Sequence, residues 1–257
     1  MTNDQFILAC DVSEREECYA LGCTLAHFGY RISASGRLLR VSHGPAARGG
    51  VLVLSDDGTG VPDLPVFLRM LEGELTRQGF CGVFADFDSF SPKLSALVES
   101  MDGLAARRGI ALYVPELYAP QAPGAFVLTG SDVVAGSYRL RLEEQRQRYE
   151  DRMALELVPV REDFALPSSG QGRRMREGEL DALLARGMTP YYSDELCLHY
   201  FTYVDRAHVT HFVVYDDAQS LRRKVGIARE AGIGKIFALY AELRVLAPDI
   251  LIPEEAY

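Results

Sequence analysis

The chain has 257 residues, of which 48% are hydrophobic and 25% charged, and it carries a net charge of −9. That composition excludes collagen-like, low-complexity and wholly disordered chains. The acidity, with Arg-rich stretches that are short (Arg173–Arg176) or interrupted by acids (Arg139–Arg152), is not the basic footprint of a nucleic-acid binder.

The first five residues, Met1–Gln5, hold no basic side chain ahead of the apolar Phe6–Cys10. This is not a secretory signal, so the expected compartment is the cytoplasm. No apolar run reaches the ~18 residues that span a bilayer, and no membrane partner is expected. Phe6–Cys10 reads as a short buried strand ending at Asp11, and Glu14–Leu21 as a short helix. Leu25–Ile32 is a second strand, closed by the turn Ser35-Gly36. Val51–Leu54 is a third, ending in Ser55-Asp56-Asp57-Gly58. Leu64, Phe67, Leu68, Leu71 and Leu75 recur at helical spacing and predict a helix over Asp63–Arg77.

Gly82–Phe87 is a fourth strand. The helix Pro92–Arg107 follows, stopped by Gly109. Ile110–Val114 and Phe126–Leu128 are the fifth and sixth strands, Tyr138–Arg152 a charged helix, and Leu155–Val158 the seventh strand. Pro167–Arg174 is the expected mobile loop. A short helix spans Glu177–Arg186. His199–Tyr203 and His211–Tyr215 alternate aromatic and polar residues and predict a β-hairpin. Asp216–Ala231 is the last long helix, with Asp216 as N-cap, Gln219 as its capping-box partner and Gly232 as the stop. Ile236–Leu239 is the eighth strand.

Eight short strands separated mainly by helices predict an α/β fold. The expected architecture is a single (β/α)8 TIM barrel over 1–257, with a small β-hairpin insertion before the last helix. No GxGxxG or GxxxxGK[ST] phosphate loop occurs, which weighs against an open nucleotide-binding sheet. The five cysteines (Cys10, Cys18, Cys23, Cys81, Cys197) show no metal spacing and read as small buried hydrophobes. His208 and His211 lie in a strand region, and neither a metal nor another cofactor is expected.

A barrel of this kind carries its site at the C-terminal ends of its strands. The polar residues expected there include Asp11, Tyr30, Asp56, Asp57, Asp86, Asp88, Glu116, Tyr118, Ser131, Asp132, Tyr240 and Glu242. An acidic, Tyr-rich mouth suits a sugar better than a phosphate. Asp86 and Asp88 are two apart. On an extended strand they share one face, with Cα atoms about 6.6 Å apart. Two carboxylates so placed cannot both ionise easily, so one pKa rises, and a raised acid beside an ionised one is what glycoside cleavage needs.

The run Cys81-Gly82-Val83-Phe84-Ala85-Asp86-Phe87-Asp88 resembles the fourth-strand signature D-G-x-D-x-D-x-E of glycoside hydrolase family 18. Val214–Lys224 is similar to that family's segment before the last helix, Ala228–Ile236 to its run into the eighth strand, and Leu25–Tyr30 with Ser35–Leu38 to its second strand and turn. The style is that of compact bacterial members, including spore peptidoglycan hydrolases. The resemblance implies a TIM barrel acting on a glycan with N-acetylated sugars. It also implies Asp86 as the residue orienting the acetamide, and Asp88, one methylene shorter than the family's Glu, as the proton donor. Tyr30, Asp56, Glu116, Tyr118 and Tyr240 are the expected substrate-binding residues. The chain departs from the pattern at Cys81 and Phe84, which stand where the family has Asp. It departs again near Gly130 or Ser131, where the family has a Tyr, and near Leu239 or Tyr240, where it has a Trp; the chain has no Trp. The expectation is a glycan-binding barrel with weak or no hydrolysis. The alternatives are a diverged glycosidase using Asp88 and Asp86, and an enzyme of another class on the same barrel.

Overall fold

The structure is a computed structural model that describes residues 6–41, 46, 48–56, 60, 62–167, 170, 172–176 and 178–251. Eight parallel strands close into a barrel: β1 (Phe6–Cys10), β2 (Thr24–Ile32), β3 (Val51–Asp56), β4 (Gly82–Asp86), β5 (Ala111–Pro115), β6 (Phe126–Gly130), β7 (Met153–Glu156) and β8 (Ile236–Leu239). Closure comes from β1, which pairs with β8 on one side (Phe6↔Ile236) and with β2 on the other (Ile7↔Thr24). A short antiparallel strand, Leu38–Arg40, folds back on β2. All eight strands lie where the sequence predicts them, within two residues at their ends.

Strand residues alternate between two cores, as the two-residue period of a β-strand requires. Ile7, Ala9, Ala26, Val51, Val53, Phe84, Tyr113, Leu128, Ala154 and Phe237 fill the barrel interior. Their neighbours face outward into a larger core against the helices. The helices are α1 (Arg15–Ala20), α2 (Leu64–Gln78), α3 (Pro92–Arg108), α4 (Tyr138–Tyr149), α5 (Glu179–Leu184), α6 (Ala218–Glu230), α7 (Tyr240–Leu243) and α8 (Ala247–Leu251). Helix α2 starts where Asp63 accepts from the Val66 amide, and α3 starts at Pro92; both stop at a left-handed glycine, Gly79 and Gly109. A 3-10 segment, Glu116–Gln121, joins β5 to β6.

The insertion between β7 and α6 is larger than the predicted hairpin. Five antiparallel strands run in the order 173–174, 161–166, 210–215, 198–204, 191–193. Met175, Phe201, Val213 and Tyr215 pack against Leu180, Leu183 and Leu184 of α5 on one face. Val160, Leu198 and Val214 pack with Phe164 and Phe212 on the other. Of the loop Pro167–Arg174, residues 168, 169 and 171 lie outside the described residues, as do Met1–Gln5, Asp57 and Glu177.

Two local expectations are corrected. The N-cap of α6 is Asp217, reciprocally bonded with Ser220, and not Asp216. Asp216 turns inward to a buried lysine instead. Cys81 is exposed, its thiol donating to the Gly49 carbonyl, so the reading of all five cysteines as buried hydrophobes fails there. His211 is held between Asp163 (2.7 Å) and Asp205 (3.6 Å).

Candidate functional site at the barrel mouth

Inward-facing positions at the strand C-termini form the floor of the mouth. Asp86 continues the inward series of Gly82 and Phe84 on β4, and Glu156 continues that of Ala154 on β7. Burial pushes the Asp86 carboxyl up to about 6, and Asp88 and Asp56 reinforce it. Glu156 is pushed up to about 7, by burial first and then by Asp86, Asp132, Glu242 and Asp88. Glu156 as a residue is nonetheless exposed at the end of β7. Two carboxyls of raised proton affinity therefore share the floor.

Asp86, Asp88 and Asp56 thus meet at the mouth as expected, but Asp86 and Asp88 do not stack as a strand pair. The ladder from β3 ends at Ser55↔Asp86, and the Phe87 amide turns back to the Ala85 carbonyl. The bend buries Phe87 in the outer core and leaves Asp88 exposed at the rim. The carboxyl raised by its surroundings is that of Asp86.

The other side chains expected to bind substrate make contacts away from the barrel floor. Tyr30 follows an irregularity in the β2–β3 register between Phe28 and Tyr30, packs in the outer core and bonds Glu74 of α2 at 3.0 Å. Tyr240 leaves β8 outward and donates to Glu17 at 2.9 Å, a carboxylate that also holds Arg244. Glu116 turns against the Tyr149 phenol of α4, whose proton affinity burial and then Glu116 raise. Tyr118 is fully buried; its hydroxyl donates to the Ser89 carbonyl (2.8 Å) and accepts from the Ser91 amide (3.0 Å). None of these four side chains is spent on the floor of the mouth.

Glu156 is the residue that the sequence reading missed. The seventh strand was expected over Leu155–Val158, which puts its mouth end two residues too late, because Leu157-Val158 prolong the apolar run beyond the barrel. Pairings Leu128↔Ala154 and Gly130↔Glu156 fix the actual register. An inward acid closing an apolar strand was the available signal.

At two of the positions where the sequence departs from the family pattern, Gly130 faces the mouth with no side chain, and Leu239, inward like Phe237, is 37% exposed. Ser131 is tied to the backbone of Val158 through its hydroxyl. The insertion leans over this side of the mouth, where Arg174 reaches Glu242 at 2.7 Å. Beside the ends of β1, β2 and β3 a cleft of about 630 Å3 is lined by Asp11, Val12, Ser13, Phe28, Gly29, Tyr30, Val41 and Ser55. Among the described residues no group of three or more His, Cys, Asp or Glu is arranged to hold a metal.

A closed ring of eight parallel strands with its polar side chains gathered at the C-terminal end defines the TIM-barrel class. More particularly, the fold is that of glycoside hydrolase family 18 chitinases and spore cortex-lytic enzymes. A chitinase from Chromobacterium violaceum matches with a TM-score of 0.71 at 15% identity, over 96% of this chain and 98% of that one. The spore cortex-lytic enzyme SleL of Bacillus cereus matches with 0.68 at 16% identity, over 99% of this chain and 76% of that one. A Cycas revoluta family 18 chitinase in complex with (GlcNAc)4 matches with 0.62 at 15% identity, over 96% and 98%. No protein-family model and no curated protein matches the sequence.

Proposed function

We propose that the protein binds an N-acetylated oligosaccharide, of chitin or peptidoglycan type, in the barrel mouth and hydrolyses it weakly or not at all. The observation that carries this reading is the acid floor of Asp86 and Glu156, with Asp56 acting on Asp86 from the end of β3, set in a chitinase-type barrel whose inward Gly130 and Leu239 offer neither a phenol nor an indole. Neutral hydroxyl-rich sugars donate hydrogen bonds to carboxylates, whereas phosphate or carboxylate ligands meet repulsion there. The Cycas chitinases crystallised with (GlcNAc)3 and (GlcNAc)4 support the ligand class.

A second reading, a diverged but active glycosidase, is favoured by one specific observation. A carboxyl raised to about 7 is partly protonated near neutral pH and is suited to donate a proton to a leaving oxygen. In that case Glu156 takes the part that the sequence assigns to Asp88, while Asp86 still orients the substrate. The test is carboxyl-carbon NMR with (GlcNAc)4, beside a reducing-end assay of wild type, Asp86→Asn, Asp88→Asn and Glu156→Gln. The expected result is perturbed Asp86 and Glu156 signals with little turnover. Robust turnover abolished by Glu156→Gln selects the second reading. Unperturbed carboxyls and no turnover overturn both.

A further inference from the structure

Phe90 is 58% exposed, an unusual position for a phenylalanine that is not left to flop. It sits four residues beyond Asp86, in the short loop that leads from β4 into α3. One face of its ring stacks on Tyr118, with centroids 5.8 Å apart and planes 23° from parallel. Tyr118 is itself immobilised. Its hydroxyl clamps the backbone on both sides of Phe90, at Ser89 and Ser91, and its ring meets Phe87 edge-on at 5.8 Å. The buried tyrosine thus fixes the loop and the ring together, and the other face of Phe90 is left open. Around it the chemistry is that of the mouth: Asp88 lies two residues before, close enough to act on both Asp86 and Glu156, and Asp56 acts on the Tyr118 phenol.

We infer that Phe90 is a pre-organised platform for one pyranose ring of an oligosaccharide whose chain continues toward Asp86 and Glu156. A pyranose presents an apolar face of C–H groups and an edge of hydroxyls. A rigid exposed ring beside carboxylates matches both at once. Pre-organisation matters because a ring already held in place loses little freedom on binding. The platform also gives this chain, which has no Trp, an aromatic contact at a position other than the eighth strand, where Leu239 stands. The inference rests on the glycan reading of the mouth and names the residue that grips the ligand.

The test uses two variants and one probe, (GlcNAc)4. Phe90→Ala removes the platform from an exposed site, so its melting temperature should match that of wild type. Phe90→Trp keeps a platform and installs the one indole in the chain. The expected results are a roughly tenfold weaker affinity for Phe90→Ala, the scale on which truncating an anchoring aromatic is felt, and a saturable shift of Trp emission in Phe90→Trp. That shift should have the same midpoint as the carboxyl-carbon NMR titration. If (GlcNAc)4 perturbs Asp86 and Glu156 but Phe90→Ala binds as tightly as wild type and the indole stays silent, the platform is overturned while the glycan reading survives. If (GlcNAc)4 perturbs nothing in any variant, both are overturned.

Discussion

The Lys224 ammonium lies 2.7 Å from the Asp216 carboxylate, with both side chains wholly excluded from solvent. The pair joins the insertion to the barrel. Asp216 also accepts from the Val160 amide (2.9 Å) and the Ser220 hydroxyl (2.7 Å), and Lys224 lies over the Tyr138 ring of α4. A buried pair is costly to break because the survivor keeps its charge without a partner. Asp216→Ala should destabilise the protein by about 3–5 kcal/mol, read by chemical denaturation. Asp216→Ala with Lys224→Met should be less destabilised than Asp216→Ala alone. A single variant within error of wild type would mean that water reaches the pair.

We propose that barrel and insertion form one unit, because this pair and the Arg174–Glu242 contact couple them. Wild type should unfold in one transition, with near- and far-UV circular dichroism superimposing. Two separated transitions would show an insertion that melts independently.

Raised carboxyls give stability a definite sign with pH. In the folded state Asp86 and Glu156 bind protons up to about 6 and about 7, whereas unfolded they release them near pH 4. The folded state therefore binds more protons than the unfolded state between about pH 4 and 7, and these groups lower stability as pH rises through that window. His27, buried and pushed down to about 4, slopes the opposite way. It is common to wild type and Glu156→Gln, so their difference isolates Glu156. The variant should gain melting temperature relative to wild type at pH 7.5 but not at pH 4. Equal differences at both pH values would refute a raised Glu156.

Asp88→Glu should restore little hydrolysis, even though it supplies the missing methylene. Asp88 sits past the turn at Phe87, exposed at the rim, so added length does not return it to the inward face. A reducing-end assay decides: a gain approaching the ~10²-fold that a 1 Å correction can bring would mean that the strand straightens when substrate binds.

Tyr118→Phe should cost about 1–3 kcal/mol, because one hydroxyl serves two backbone groups. It should also speed hydrogen exchange at the Ser91 amide. Unchanged exchange there would show that the loop is held by the Phe87 and Phe90 ring contacts alone.

The barrel was legible because its signals are local. Short apolar runs such as Val51–Leu54 and Gly82–Phe87 alternate with 3-and-4 spaced leucines, and Gly79 and Gly109 stop helices by backbone geometry that needs no distant partner. The acidity of the mouth was legible too, since strand ends carry Asp56, Asp86, Asp132 and Glu242. Which face a residue takes was not. One register irregularity beside Gly29 sends Tyr30 to Glu74, and one turn at Phe87 separates Asp88 from Asp86. A two-residue displacement of β7 hid Glu156. In a strand with a two-residue period, a single slip exchanges inside for outside. That parity is set by pairing with neighbouring strands, so only the closed barrel decided which carboxylates share the floor, and only its packing turned Tyr118 from a presumed ligand contact into the support behind Phe90.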